Sequence, residues 1–228
     1  MIQKTVLSNG VRIVTETMPD VHSVAVGIWI ATGSRHEQDH ENGLAHFIEH
    51  MLFKGTANRS AEDIARAVDS IGGHLDAFTA KEMVSYNAKV VDQHLPEALD
   101  ILSDLVLHPL FRPEDIEKEK SVVLEEIKME ADDPEYVVHE LFSHSFWKDH
   151  ALGKPILGTR DSVRRFTRET IENCYRSIYV PSNIVITAAG NLEHARMLEL
   201  VGERFESLPA NGSVPPSPAP STHARSEE

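Results

Sequence analysis

The chain has little cysteine, no long apolar run and fewer basic than acidic residues, and each shortage excludes a class of protein. Cys174 is the single cysteine among 228 residues, which excludes an intrachain disulfide and indicates a reducing compartment. The longest apolar run, residues 24–31, is too short to span a bilayer, so we expect no membrane partner. The net charge of -14, from 22 basic and 36 acidic residues, argues against nucleic-acid binding.

The length and the N-terminal sequence indicate a folded domain without a targeting signal. A chain of 228 residues can bury a sizeable core, as one large domain or two small ones. The start of the chain alternates around a turn at Asn9-Gly10, which predicts a β-hairpin rather than a signal peptide. We therefore expect a cytoplasmic protein. Its acidic surface is compatible with basic, presequence-like peptides, although such a surface commonly serves solubility alone.

Hydrophobic periodicity predicts three strands, two helices, two strands, several helices, a late strand and a final helix. Strands after the first are predicted at residues 11–17, 24–31, 75–79, 83–91 and 183–189. Helices outside the motif described below are predicted at residues 60–71, 95–107, 113–131, 134–147, 170–179 and 192–205. Strands flanked by long helices predict an α+β fold, a two-layer sandwich in which helices pack on a mainly antiparallel sheet.

Residues 43–53, GLAHFIEHMLF, place two histidines and a glutamate on one face of a predicted amphipathic helix. His46 and His50 lie four residues apart, so they stack on a helical period and can hold one zinc ion. Glu49 reaches the same face and could accept a proton from water there. The spacing is H-x-x-E-H, the inverse of the H-E-x-x-H zinc-protease pattern. The alternative, two helix histidines beside a solvated carboxylate, is weakened because the rest of this helix is largely apolar.

A catalytic zinc site typically has three protein ligands, so a third ligand must come from another segment. The segment Pro113–Ala131 is predicted as a helix that begins with proline and two acidic residues. Glu119 and Glu126 lie seven residues apart and share one face of that helix. The spacing alone leaves Glu126 as one candidate among several carboxylates, because most acidic helices are simply solvated.

The sequence GLAHFIEHMLFKGT resembles the signature of the pitrilysin and mitochondrial processing peptidase family, the inverted zincins. In that family the third ligand is a glutamate about 76 residues beyond the second histidine, which corresponds to Glu126. A family glutamate seven positions earlier, which assists catalysis, corresponds to Glu119. The resemblance therefore implies His46, His50 and Glu126 as zinc ligands and Glu49 as the general base.

The segment IGGHLDAFT is similar to the family's glycine-led edge strand, with which the substrate peptide pairs as an added strand. Without the resemblance, Gly72-Gly73 predicts a turn before a short strand, and a free strand edge would hold an extended peptide. An ordinary strand following a helix fits the same spacing. The resemblance implies four substrate-binding residues: Asp76, Ala77, Phe78 and Thr79.

Three further residues with metal-binding or reactive side chains are predicted to be structural. His36 and His40 lie in a polar loop at residues 32–42 and are expected to be exposed. Cys174 lies in a predicted helix and is expected to pack, because no activating partner is apparent.

Family enzymes commonly have two homologous halves joined by a linker, and this sequence resembles the first half. Residues 1–208 are predicted as the zinc-peptidase domain, and 209–228, rich in Pro and Ser, as a linker or tail leading to an absent second half. We expect a zinc metalloendopeptidase that cleaves peptides or unfolded, presequence-like segments. Its expected partner is a second homologous half or subunit, in a homodimer or a heterodimer.

Two alternatives to the peptidase remain open. The first is a non-catalytic or regulatory subunit of a processing-peptidase-like assembly, although such relatives typically lose motif residues that are present here. The second is a binding module with purely structural zinc, which would require a fourth protein ligand, and no convincing one is found.

Overall fold

A computed structural model describes residues 1–148 and 150–210 of the chain. The predicted linker therefore lies outside the described residues from position 211 onward, and its boundary at residue 208 stays a prediction. The strands are β1 (Ile2–Val6), β2 (Arg12–Thr17), β3 (Ser23–Ile30), β4 (His74–Thr79), β5 (Val84–Val91) and β6 (Ile184–Gly190). The helices are α1 (Leu44–Leu52), α2 (Ala61–Ser70), α3 (Leu95–Leu107), α4 (Pro113–Ala131), α5 (Pro134–Phe146), α6 (Arg160–Arg165), α7 (Arg168–Ile178) and α8 (His194–Phe205).

The six strands form one sheet in the order β1-β2-β6-β3-β5-β4. Neighbouring strands are antiparallel except for β2 and β6, which are parallel. The late strand β6 lies between the N-terminal hairpin and β3, so residues from both ends of the domain pair at its centre. The predicted mainly antiparallel sheet is confirmed, with one parallel pair inside it.

The strands alternate between buried and exposed side chains, which separates the two layers. In β3, Val24 and Ile28 are fully buried, whereas Ala25 between them is exposed. Helix α3 packs on β3 and β5, α8 packs on β2, and α1 packs on β4. The helices therefore cover one face of the sheet, which confirms the predicted two-layer α+β sandwich.

Local sequence explains where the helices begin. The Ser60 hydroxyl accepts the Asp63 N–H at 3.1 Å, and the Asp63 carboxylate reaches back to Ser60, a capping box that starts α2. Pro113 opens α4 at a position where no intrahelical N–H bond is lost.

Within the described residues, no helix has both the length and the apolar character needed to cross a membrane.

The polar loop at residues 32–42 contains two short 3-10 turns, Ser34–His36 and Asp39–Glu41. His40 is exposed, as predicted. The predicted exposure of His36 is wrong, because its side chain is half-buried, and this burial lowers its pKa. The loop packs close to the start of α1 and forms part of the support of that helix.

Candidate metal centre

Helix α1 is held at its N-terminus by a carboxylate that lies outside the helix. Glu37 is buried and accepts the N–H groups of Gly43 at 2.8 Å and Ala45 at 2.7 Å. Burial raises the pKa of Glu37, and hydrogen bonds from Ala45, Gly43 and Asn42 partly oppose that rise. The carboxylate thus satisfies donors that a helix start leaves unpaired, in place of an N-cap side chain.

Gly43 itself is required at the start of α1. Its φ of 91° lies in the left-handed region, and a Cβ there would sit 2.6 Å from the Leu157 carbonyl oxygen. Any larger residue would therefore strain the backbone and push the zinc-motif helix away from the loop around Leu157.

Helices α1 and α4 bring the three predicted ligands together. The ligand atoms of His46, His50 and Glu126 all lie within 4.8 Å of one another. The two Nε2 atoms of the histidines are 3.1 Å apart. The Glu126 carboxylate lies 3.8 Å from the His46 Nε2 and 3.7 Å from the His50 Nε2. Residues separated by some 76 positions therefore converge on one point between two helices.

The residues of this cluster fit a zinc ion. Zinc–nitrogen bonds of about 2.0–2.1 Å in a tetrahedral site place two nitrogen ligands roughly 3.3 Å apart, close to the observed separation of the two Nε2 atoms. Burial and the neighbouring His50 lower the pKa of His46 to about 3, so His46 presents the neutral imidazole that a metal requires. The buried Oε2 of Glu126 has no hydrogen-bond partner, which a bound cation would supply.

Glu119 contacts the second histidine. The Oε1 atom of Glu119 lies 2.8 Å from the His50 Nδ1. Its Oε2 forms an ion pair with the Lys54 ammonium, whose Nζ lies 2.7 Å away. Burial alone would raise the pKa of Glu119, but the hydrogen bonds and charges of His50 and Lys54 outweigh it and lower that pKa. Carboxylates of this kind orient metal-bound histidines. The contact supports Glu119 as the group that holds His50, and its catalytic role stays a prediction.

Glu49 points to the edge of the sheet. The Thr79 hydroxyl donates to the Glu49 Oε2 at 2.5 Å, which connects α1 to the last residue of β4. Burial raises the pKa of Glu49, and the hydrogen bond from Thr79 opposes that rise. Glu49 is outside the group of three candidate ligands, so its carboxylate is not committed to that cluster. This position suits a proton acceptor beside the candidate centre.

The strand predicted to bind substrate is an edge strand. β4 pairs with β5 on one side, and among the described residues no strand pairs with its other side. The exposed residues Asp76 and Phe78 alternate with the half-buried Ala77 and Thr79. Phe78 is 41% exposed on the sheet face that carries Trp29. The four predicted residues therefore line a strand edge that can add an extended peptide.

Cys174 and Tyr86 have structural surroundings. Cys174 is half-buried against the core, and burial raises the pKa of its thiol to about 12, which suits packing rather than nucleophilic chemistry. Tyr86 is fully buried, and its hydroxyl lies 2.6 Å from the Tyr179 hydroxyl. Cys174 is thus located as predicted.

Sequence reasoning missed two residues that support the centre. Glu37 accepts hydrogen bonds from N–H groups six and eight positions further along the chain. The loop must fold back to make these contacts, and no local sequence pattern indicates them. Lys54 follows His50 by four positions, a helical spacing that could have predicted its proximity to the motif face.

An H-x-x-E-H helix that meets a glutamate of a distant helix within an α+β domain is the arrangement typical of metallopeptidases with the inverted zinc motif. A model of the insulinase family, Peptidase family M16, matches residues 12–160, and one described as Peptidase M16 inactive domain matches residues 165–228. The chain belongs to Peptidase family M16, the insulinase and pitrilysin family. This confirms the resemblance on which the ligand assignment was based.

Relatives with similar sequences carry the names of zinc proteases. An uncharacterized zinc protease of Streptomyces coelicolor is 46% identical over 205 residues, which cover 90% of this chain and 45% of the relative. The uncharacterized zinc protease YmxG of Bacillus subtilis is 44% identical over 223 residues, which cover 98% of this chain and 54% of the relative. The chain spans about half the length of the curated relatives it matches.

Solved structures show the same fold. A protease from Helicobacter pylori superposes with a TM-score of 0.89 at 24% identity, over 97% of this chain and 53% of that one. The first half of the periplasmic protease PqqL from Escherichia coli superposes with a TM-score of 0.88 at 24% identity, over 98% and 49% of the two chains. At this identity the similarity concerns the fold alone.

Proposed function

We propose that the chain is the metal-binding half of a zinc-dependent metalloendopeptidase. The observation that carries the proposal is the convergence of His46, His50 and Glu126 within 4.8 Å of one another. Glu49, on the same helix as the two histidines, is hydrogen-bonded to the edge strand at Thr79. The zinc-protease names of the relatives also support a zinc-dependent peptidase.

In the proposed mechanism, the metal ligands, the general base and the residues that position them together promote cleavage of one peptide bond. His46, His50 and Glu126 would hold the zinc ion, which would supply Lewis-acid polarisation of a carbonyl and activation of water. Glu49 accepts the proton of the attacking water and passes it to the leaving amine. Thr79 holds the Glu49 carboxylate in place, and Glu119 holds the ring of His50.

We propose that the substrate is an extended peptide that pairs with β4. Main-chain hydrogen bonds to a strand edge bind peptides of many sequences, so this mode suits unfolded or presequence-like segments. The alternating exposure of Asp76 and Phe78 would place every second substrate side chain beside one of them. The net charge of -14 is compatible with basic peptides.

Activity of the whole enzyme is proposed to need a second homologous half or subunit. The relatives are about twice as long as this chain, and a solved first half of one protease matches it over 98% of its length. Edge pairing alone leaves one side of a substrate in water, so a second half would confine it.

A second candidate function is that of a non-catalytic or regulatory subunit in a similar assembly. The observation that favours it is the match of residues 165–228 to a domain described as inactive. The presence of all four motif residues favours the peptidase instead.

The test measures zinc content and peptide cleavage on the same preparations. The chain is assayed with a fluorogenic library of basic peptides, alone and with the complementary half of a longer relative. Glu49→Gln should keep zinc and fold while activity falls at least about a hundredfold, the usual scale for loss of a general base. Glu125→Gln makes the same chemical change at an exposed residue of α4 and should leave activity unchanged.

Each outcome separates the candidates. Full activity in Glu49→Gln would refute the general-base role. A zinc-loaded protein that cleaves nothing, even with the second half supplied, would favour the non-catalytic subunit. Robust turnover by a strictly monomeric preparation of the chain would show that a second half is dispensable.

A further inference from the structure

We infer that Lys54 is a positioning residue of the metal centre, acting on His50 through Glu119. The inference rests on the zinc centre proposed above. The Lys54 Nζ lies 2.7 Å from the Glu119 Oε2, while the Glu119 Oε1 lies 2.8 Å from the His50 Nδ1. One carboxylate therefore joins an ammonium group to the ring of a metal ligand.

Glu119 is placed so that its orientation decides the orientation of His50. Its side chain is almost fully buried, and each of its two oxygens contacts one partner. A carboxylate anchored at both oxygens cannot rotate without breaking one of the contacts. As long as the Lys54 contact holds, Glu119 keeps the His50 ring turned with its Nε2 toward His46 and Glu126.

The backbone holds Lys54 in the position that this role requires. Lys54 follows the last turn of α1, and its N–H donates to the Met51 carbonyl at 3.1 Å. Gly55, the next residue, pairs with Ser60 in a β-bridge. The Thr56 hydroxyl then donates to the buried Asp104 at 2.6 Å. Because the chain is fixed on both sides, the backbone from which the Lys54 side chain extends is held beside Glu119.

The charges of the site also favour a cation beside Glu119. Glu49, Glu119 and Glu126 place three carboxylates around two histidines, and by solvent accessibility Glu119 is buried whereas the other two are partly exposed. Lys54 is 37% exposed at its side chain, so it brings a positive charge from the surface to a buried anion. Without Lys54, the Oε2 of the buried Glu119 would lose its cationic partner, and the carboxylate would no longer be fixed in the orientation that contacts His50.

The experiment measures zinc affinity, which does not depend on peptidase activity. Wild-type chain and Lys54→Met are titrated with zinc against a chromophoric chelator at one pH. Loss of the direct outer partner of a metal ligand, here Glu119, typically lowers affinity about 10–100-fold, and Lys54→Met, which acts through Glu119, should lower it about tenfold. Lys54→Arg should recover most of the affinity because it restores the cation. Lys118→Met, the same change at an exposed lysine of α4, should have no effect.

Cobalt substitution gives a second readout that a merely structural role would not move. The visible bands of bound Co²⁺ report the geometry of its ligands, so they should shift in Lys54→Met and return in Lys54→Arg. Thermal unfolding of the metal-free proteins checks folding. Lys54→Gln, measured in parallel, tests the same loss of charge should Lys54→Met fold poorly.

A double-mutant cycle with Glu119→Gln tests the route. If Lys54 acts through Glu119, Lys54→Met should change zinc affinity little in the Glu119→Gln background. An undiminished effect there would overturn the inference. Wild-type affinity and spectrum in Lys54→Met, with zinc bound normally by the wild type, would also overturn it and leave the proposed function intact. A wild-type chain that binds no zinc would instead overturn the proposed function and this inference with it.

Discussion

Replacing Glu37, which is not one of the candidate metal ligands, by alanine should destabilise the domain. Glu37 lies in the loop before α1, and its two carboxylate oxygens accept the N–H groups of Gly43 and Ala45. Alanine would leave both donors, which start the helix carrying His46, without their acceptor. The surrounding site is buried, so water would replace the carboxylate poorly.

The magnitude follows from the number and burial of these hydrogen bonds. Loss of a helix-capping acceptor costs about 0.5–2 kcal/mol, and an unsatisfied buried donor costs about 1–3 kcal/mol. Glu37→Ala should therefore lower the free energy of unfolding by about 2–4 kcal/mol. For a domain of this size that corresponds to a fall in Tm of roughly 4–16 °C.

The assay is urea unfolding of the metal-free protein, followed by far-UV circular dichroism. Glu62→Ala is the matched control, because Glu62 is an exposed glutamate near a helix start that pairs with Arg66. It should change stability by less than about 1 kcal/mol, as exposed ion pairs do. Equal stability of Glu37→Ala and wild type would refute the reasoning that the carboxylate holds the start of α1.

Two further predictions concern the ligand set and the loop behind it. His46→Ala should abolish zinc retention because two remaining ligands hold zinc poorly, and stoichiometric zinc by elemental analysis in the His46→Ala/His50→Ala protein would contradict the assignment. Asp104→Asn should lower the free energy of unfolding at pH 7 by about 1–3 kcal/mol, since Asp104 accepts hydrogen bonds from Thr56 and Arg59. Burial would raise the pKa of Asp104, but these and other hydrogen bonds outweigh it and lower that pKa below its ordinary value of 3.8. The stabilisation is therefore present above pH 3.8 and is lost as the pH falls further, so unfolding of variant and wild type should converge in acid, and a constant difference would contradict this.

Elements with strong local signals were predicted best. Helices α3 and α4 have the predicted bounds, because apolar periodicity defines the first and a first-turn proline with acidic residues defines the start of the second. The hairpin of β1 and β2 follows from the Asn9-Gly10 turn. In each case the structure is determined by residues that are close together in the sequence, so the local sequence pattern is enough to predict it.

Contacts between distant segments could not be predicted from local pattern. The pairing of His46 and His50 follows from helical spacing, but Glu126 was selected from other carboxylates only by family resemblance. The contact of Glu37 with α1 depends on how a polar loop folds back, and its residues carry no periodic signal. The parallel pairing of β2 with β6 joins segments separated by most of the chain, which no short-range rule predicts.

The position of β6 sets an order for folding during synthesis. β6 lies between β2 and β3, so a nascent chain that ends before Ile184 leaves an unpaired edge on each of those strands. The N-terminal hairpin, although made first, has no place in the sheet until the ribosome has released nearly the whole domain. Such late closure of long-range pairs slows folding and exposes strand edges to other chains. Truncated products that end before residue 184 should therefore aggregate and depend on chaperones more than products that include residues 184–190.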